Sequence, residues 1–546
     1  MPGEDALAYP SVAYFCMEYA LHEDLPIYAG GLGVLAGDYL KSAADLGLPV
    51  TGVGLLWQRG YTRQFIGDDG YPYDTFQDLH NGKVEDTGVR VHVDIWGRRV
   101  RCRVSKVSAY GNAPLYLLDT NLAENDEAVR GLTDILYCGS TDHRIAQEVV
   151  LGVGGMRALR ALGIPVDIYH FNEGHAVLAG LELIGERMAG GEDFAQAWRA
   201  VREEIVFTTH TPVPAGNEIH SHGALHHAGA YGMLNYEQMR AIGGDPFNMT
   251  VAGLRLAGAA NAVSRLHAET ARQMWAGLQD TAPIIAVTNG VHAGTWQDPS
   301  IARAFAAGDD LLAPHREAKE ALAVEIEART GVKLNPHALL IGFARRAASY
   351  KRGTLIFQRL EQIEPLLASG RIQLLFSGKA HPADGHGKGI ITHLVVMARR
   401  YPGAVIYAPD YDLRLAKALI RGCDVWLNTP RRPMEASGTS GMKAALNGVL
   451  NLSVLDGWWP EGCRHGVNGW QIGDGREAPD QDGYDAESLM RVLLHEVLPV
   501  FENDRPRWEG MMRASIEMAG GFTSAEMIKR YYREIYRKAG ARKATA

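Results

Sequence analysis

Glu435 and Lys443 stand on either side of a run of small residues, Ser437-Gly438-Thr439-Ser440-Gly441. The residues that follow, Met442-Lys443-Ala444-Ala445-Leu446, are good helix formers, so the pattern predicts that the turn opens a helix. Unpaired backbone N–H groups and the positive end of the helix dipole make such a start a seat for phosphate. A lysine one turn in, partly withdrawn from water, has the lowered amine pKa that permits an imine with an aldehyde. A phosphate seat beside an imine-forming lysine points to pyridoxal phosphate.

Other segments carry polar groups at the ends of apolar runs. GFARRAASYKR (342–352) places Arg345, Arg346, Lys351 and Arg352 directly after a predicted strand, in the mixture of guanidinium and ammonium groups that phosphate recognition uses. YAGGLGVLAGDYLKSAADLGLP (28–49) sets Gly30, Gly31 and Gly33 ahead of a predicted helix over 34–46, where glycine lets an anion approach the backbone. This loop does not fit G-x-G-x-x-G, so a dinucleotide site is a poor match, and a tight turn explains it equally well. His210 lies in the proline-held loop TTHTPVPAG, suited to hydrogen-bonding a neutral sugar, and VTNGVHAGTW offers Asn289 for a hydroxyl and Trp296 as an apolar wall. Lys379, in SGKAHPADGHGKG, reads equally as an anion contact or a surface residue. His220, His222, His226 and His227 lack carboxylates at ligand spacing, so they read as a polar surface loop, and no structural zinc or other metal is expected.

These residues need a scaffold of two α/β units. At 546 residues the chain exceeds what one core supports. In the first half, predicted strands at Val12–Met17, Val50–Leu56, Val89–Trp96, Val100–Ser108 and Pro114–Leu118 precede a strand–helix–strand unit over 166–209. In the second, apolar strands ending at Phe343, Phe376, Tyr407, Leu427 and Leu452 alternate with helices, as in a parallel sheet covered on both faces. The expected division is 1–286, 287–515 and a C-terminal helical segment with a tail over 516–546. Ligands should bind on loops at the C-terminal ends of the strands.

Composition narrows the function class. With 46% hydrophobic and 22% charged residues the chain reads as an ordinary soluble globular protein, and a net charge of −8 argues against nucleic acid or an anionic membrane as partner. Five scattered cysteines without a C-x-x-C pair suit a reducing cytoplasm. No secretory signal and no membrane span is expected.

With its motifs in order from about residue 12 to 530, the chain resembles the α-glucan phosphorylases, the glycogen, starch and maltodextrin phosphorylase family. The motifs are LPIYAGGLGVLAGDYLKSAADLGLP, NEGH, TTHTPVPAG, TNGVH, ARRAASYKR, SGKAHPAD and EASGTSGMKAALNGVLNLSVLDG. The resemblance implies a GT-B fold of two Rossmann-like α/β domains facing a cleft. It also implies reversible transfer of glucose from an α-1,4-glucan to phosphate, giving α-glucose 1-phosphate with retention. Matched motif by motif, it assigns pyridoxal phosphate to Lys443, with Thr439, Ser440, Gly31 and Arg345 around the cofactor phosphate and Tyr411 and Trp296 beside its ring. Arg346 and Lys351 would clamp the substrate phosphate with the Gly30–Gly31 amides. His210, Asn289, Glu435, Ser437 and Gly438 would bind the glucosyl unit. The family's ring-stacking tyrosine falls here on Ala20, and Ala347 and Ala348 replace basic residues of larger members. The regulatory segments of the animal enzymes have no counterpart, so an unregulated enzyme is expected, with homo-oligomerisation open.

Two other readings remain at this point. A GT-B nucleotide-sugar transferase of the glycogen-synthase kind would carry a second glutamate where Lys443 stands. A non-catalytic glucan-binding protein would bind maltodextrin and release no glucose 1-phosphate.

Overall fold

A computed structural model describes residues 9–213 and 216–537. Pro214, Ala215 and the C-terminal tail of the expected 516–546 segment lie outside the described residues. The chain divides into two compact units. The first comprises the residues up to Tyr61, Gln77–Thr288 and those from Ser524 on; the second comprises Thr62–Phe76 and Asn289–Thr523. The sequence reading set its breaks after residues 286 and 515. The chain crosses between units after Tyr61, Phe76, Thr288 and Thr523, lending the hairpin Arg63–Ile66/Pro72–Thr75 to the second unit and the last helices to the first.

The first unit is built on a nine-stranded sheet. Seven parallel strands run in the order Ile284–Ala286, Ala259–Ala262, Ile205–Thr208, Ile168–Asn172, Val12–Phe15, Val50–Leu55, Leu115–Asp119. Arg98–Val107 and Glu85–Ile95 extend it antiparallel. The inner strands VAYF and IVFT are buried at every position, which is what a sheet covered on both faces requires. The C-terminal segment completes this core. Met527, Ile528, Tyr531 and Tyr536 are buried in it, and the Tyr536 hydroxyl is 2.6 Å from His170 Nδ1 and 2.8 Å from the Tyr39 hydroxyl.

The second unit holds a six-stranded, fully parallel sheet in the order Val405–Ala408, Ile372–Ser377, Leu339–Ala344, Val425–Asn428, Leu450–Val454, Gly469–Ile472. The last of these strands was not foreseen, because GWQI offers a strand reader only two large apolar residues. Helices Gly385–Arg400 and Leu413–Gly422 follow strands and begin on aspartate caps, Asp384 accepting from Gly387 N–H and Asp412 from Leu415 N–H. No helix among the described residues is long and apolar enough to cross a membrane.

The histidine-rich stretch corrects the sequence reading. His222–His227 is a short helix rather than a loop, with His226 and His227 exposed. His220 and His222 are buried, and His222 is 2.9 Å from the Tyr231 hydroxyl and 2.8 Å from the Gly244 carbonyl.

Candidate active site

In the second unit, Arg345 follows the strand Leu339–Ala344, and the 3-10 turn Ser349–Lys351 brings Lys351 to the same carboxylate. Arg345 Nη2 donates to Glu435 Oε2 at 2.7 Å, and the Lys351 ammonium donates to the same oxygen. Burial alone would push the Glu435 carboxyl up, but Arg345 and Lys351 beside it win and hold it at about 2. Glu435 is an anion throughout the neutral range. Its backbone N–H is held by Asp456 Oδ2 at 2.9 Å, and burial raises that aspartate to about 7.

Lys443 sits in the helix Ser440–Ala445, whose start at Thr439 has no side-chain cap. Its Nζ lies 4.0 Å from the centre of the Trp296 ring, and both side chains are buried. Asn447 ties the pair together, donating to the carbonyls of Lys443 (2.9 Å) and Trp296 (3.1 Å). Ser440 Oγ accepts from Trp426 Nε1 at 3.1 Å and keeps its hydrogen to donate. Thr439 is half-buried beside it. Gly438 turns the chain at φ 74°, a conformation that favours glycine. Burial pushes the Tyr411 phenol well up, against the pull of the Arg345 guanidinium nearby.

Several buried polar atoms here have no hydrogen-bond partner: Nε and Nη1 of Arg345, Oγ of Ser437 and Oδ1 of Asn289. Buried groups without a partner are few in native proteins and call for an explanation, of which a ligand is one. Two open guanidinium nitrogens suit phosphate, and a hydroxyl and an amide oxygen suit sugar hydroxyls. With the buried lysine and its aromatic wall, these residues fit a phosphorylated aldehyde such as pyridoxal phosphate. Arg346 borders the same recess as Arg345 and Lys351, with its side chain exposed.

Two cations that the sequence grouped with these have other roles. Arg352 is buried at φ 48° and bonded to Asp485 (2.6 Å), Asp482 (2.9 Å) and the carbonyls of Thr429 and Pro430. Lys379 pairs with Asp410 at 2.8 Å.

In the first unit, the helix starts earlier than expected, at Gly31, and runs to Asp45 with Gly30 as its cap residue. No side chain caps it, and Gly31 is exposed. Glu18 shapes this start: its Oε2 accepts from Ala29 N–H (2.6 Å) and Gly30 N–H (3.0 Å), and its Oε1 from the Tyr137 hydroxyl (2.7 Å). Gly33 must lack a side chain because a Cβ there would come within 2.6 Å of Glu18 Oε2. His210 is held at both ends, its N–H donating to Glu173 Oε2 at 2.7 Å and its Nε2 lying 2.6 Å from Asn172 Oδ1. Burial pulls His210 down to about 3, so the ring is neutral at pH 7. Glu173, at φ 79°, is pushed up to about 7 by its own burial.

Comparison with known proteins shows the family. Residues 302–460 match the family model described as carbohydrate phosphorylase. The chain is 38% identical to the maltodextrin phosphorylase of Thermococcus litoralis, over 97% of this chain and 70% of that one. It is 36% identical to the glycogen phosphorylase of Aquifex aeolicus, over 98% of this chain and 87% of that one. The chain belongs to the carbohydrate phosphorylase family. A third relative, the glycogen phosphorylase of Mycobacterium tuberculosis, is 38% identical over 98% of this chain and 71% of its own.

For a carbohydrate phosphorylase, Glu18, Asn172, Glu173, Asn447 and Asp456 are residues to which the sequence reading gave no role, although all but Glu18 lie inside its motifs. Each acts on a neighbour through a hydrogen bond, so none stands out by type or spacing. Glu18 gives a direct test. Glu18→Ala removes the acceptor of two half-buried amides and is expected to raise the phosphate KM about tenfold, because the start of the Gly31–Asp45 helix loses its anchor. Glu18→Gln keeps a carbonyl oxygen for those amides and an NH2 for Tyr137, so its KM should stay near wild type. Steady-state phosphorolysis at varied phosphate measures both, and an unchanged KM in Glu18→Ala would remove Glu18 from this role.

Proposed function

We propose that this phosphorylase transfers the terminal glucosyl unit of an α-1,4-glucan to inorganic phosphate, reversibly and with retention at C1. The observation that carries the reading is the pairing of Arg345 and Lys351 on the buried anion Glu435, beside the uncapped helix that bears Lys443.

In this reading Lys443 holds pyridoxal phosphate against Trp296 and Tyr411, and Arg345, Thr439, Ser440 and Gly31 receive its phosphate. When bound, that group supplies a second phosphate able to exchange a proton with the substrate phosphate. Arg346, Lys351 and the Gly31 amide bind the substrate phosphate, because two phosphates in contact repel unless cations hold them there; the Gly30 N–H that the sequence reading paired with Gly31 is taken by Glu18 Oε2. His210, Asn289, Ser437, Gly438 and Glu435 orient the glucosyl unit by its hydroxyls. Neutral His210 spends its ring hydrogen on Asn172 Oδ1 and leaves Nδ1 to accept without adding charge. Ionised Glu435 accepts sugar hydroxyls and is a poor proton donor, so Glu435 is not the acid.

The proton on the substrate phosphate passes to the glycosidic oxygen as the C1–O bond breaks. The positive character at C1 is stabilised by the adjacent phosphate oxygen, which then bonds to C1 on the face just vacated. Retention follows without a glycosyl-enzyme intermediate. All five cysteines are thiols, which suits a reducing compartment, and we assign the activity to the cytoplasm.

The test is incubation of the pyridoxal-phosphate-loaded protein with maltodextrin and phosphate, followed by phosphorus and proton NMR. α-Glucose 1-phosphate is the expected product. Glucan elongation from a nucleotide sugar, without glucose 1-phosphate, would overturn the reading.

A further inference from the structure

A second cluster of ionisable groups lies in the first unit and has no part in the reaction above. Glu148 is on the helix Thr141–Val149 and is fully buried; Glu218 and His220 flank Ile219, where the short strand Ile219–His220 pairs with Phe247–Asn248. One ligand atom from each of the three residues lies within 4.8 Å of the other two, and His220 Nε2 is 3.6 Å from Glu148 Oε2. Two ligands on one ion in tetrahedral geometry stand roughly 3.4 Å apart, given metal–oxygen and metal–nitrogen distances of about 2.0–2.2 Å.

The hydrogen-bond pattern says what is missing. Both ring nitrogens of His220 have no hydrogen-bond partner although the residue is only 4% exposed, and the Glu148 carboxyl meets Glu218 rather than any N–H donor. Arg144, one turn before Glu148, donates its Nε to Glu218 Oε1 at 2.9 Å and stands 3.6 Å from Glu148. It stands as one positive charge against the two carboxyl groups of Glu148 and Glu218.

We propose that Glu148, Glu218 and His220 bind one divalent transition-metal ion, Zn2+ or Mn2+, as a structural pin between the helix and the end of the His210 loop. Two carboxylates and an imidazole form a ligand set that suits these ions. A single ion satisfies all three residues at once. A proton shared between the carboxylates would serve those two and leave His220 stranded. The 32% exposure of the Glu218 side chain gives an entry path and room for a water ligand. The sequence reading expected no metal because Glu218, two residues before His220, is a single carboxylate on that stretch. Glu148 arrives from a helix some seventy positions earlier, and only the fold brings it there.

The pin would fix the far end of the loop whose near end Glu173 holds at His210. The inference does not depend on the catalytic reading, since metal binding is read without activity. Untagged full-length protein, saturated with pyridoxal phosphate, is to be stripped with chelator and titrated with Zn2+ alone or Mn2+ alone. Binding is followed by calorimetry and by metal content after gel filtration. The expected result is one ion per chain, a raised Tm and at least tenfold weaker binding in both His220→Ala and Glu148→Gln, with circular dichroism confirming that the variants fold. If a variant does not fold, anomalous diffraction at the zinc edge on wild-type crystals decides, with a peak expected between these three side chains. No binding of either metal at millimolar concentration, binding unaffected by both substitutions, or no anomalous peak at this position overturns the proposal. So does a protonated-carboxyl infrared band that disappears in Glu148→Gln while no ion is bound, which assigns a shared proton instead.

Discussion

Lys443→Ala is expected to yield a folded protein that takes up no pyridoxal phosphate and releases no glucose 1-phosphate. The lysine is buried against Trp296 and set on a helix whose end Asn447 locks to the Trp296 backbone, so no other amine replaces it by a small movement. The substitution puts a better helix former into the helix Ser440–Ala445, so circular dichroism should be unchanged. Absorbance after reconstitution and gel filtration reads the cofactor, and a coupled glucose 1-phosphate assay reads the activity. A variant with wild-type turnover and no bound chromophore would refute the lysine's assignment.

Arg345→Ala should cost about 10²–10³-fold in kcat/KM for phosphate, the loss seen when one preorganised donor to a developing or transferred anion is removed. Two of its guanidinium nitrogens are buried without partners and the third holds Glu435, so the substitution both opens the anion seat and strips the carboxylate of its strongest counter-charge. The second effect has a sign that can be checked. Glu435 is held low, so its charge and the stability it brings are present above the ordinary carboxylate range and lost as pH falls toward 2. With Lys351 alone beside it, the carboxyl titrates at higher pH, and the acid limb of the kcat/KM profile should move upward. Stopped assays at fixed maltodextrin from acidic to neutral pH test this. An unshifted acid limb with unchanged phosphate kinetics would remove Arg345 from the site.

The sequence was most legible where chemistry sits at the end of an apolar strand. Lys443, Glu435, Arg345 and Lys351 announce themselves by type and position because each follows a run of residues that only a buried strand explains. Five of the six strands of the second sheet were readable for the same reason, since runs such as LLIGFA and IQLLFS are buried throughout. What could not be read were contacts made across long stretches of chain. Glu18 reaches Tyr137, Glu173 reaches His210, and Glu148 meets His220, in each case through a fold that no local pattern encodes. Arg352 shows the converse error. Its neighbours suggested an anion site, yet Asp482 and Asp485, far along the chain, claim it.

The return of the C-terminal segment to the first unit also sets an order of events on the ribosome. Ile528, Tyr531 and Tyr536 are core residues of a unit whose remaining sequence ends at Thr288. The first half of the chain therefore emerges, and remains short of its final core, while the entire second unit is being synthesised. At about 5–20 residues per second that interval lasts on the order of ten seconds to a minute. During it, the faces of the Gly31–Asp45 helix and of His170 that will receive those tyrosines are open to solvent and to other chains. Nascent chains stalled before residue 524 should engage chaperones, whereas chains released after residue 537 should close the first unit with the tyrosines in place.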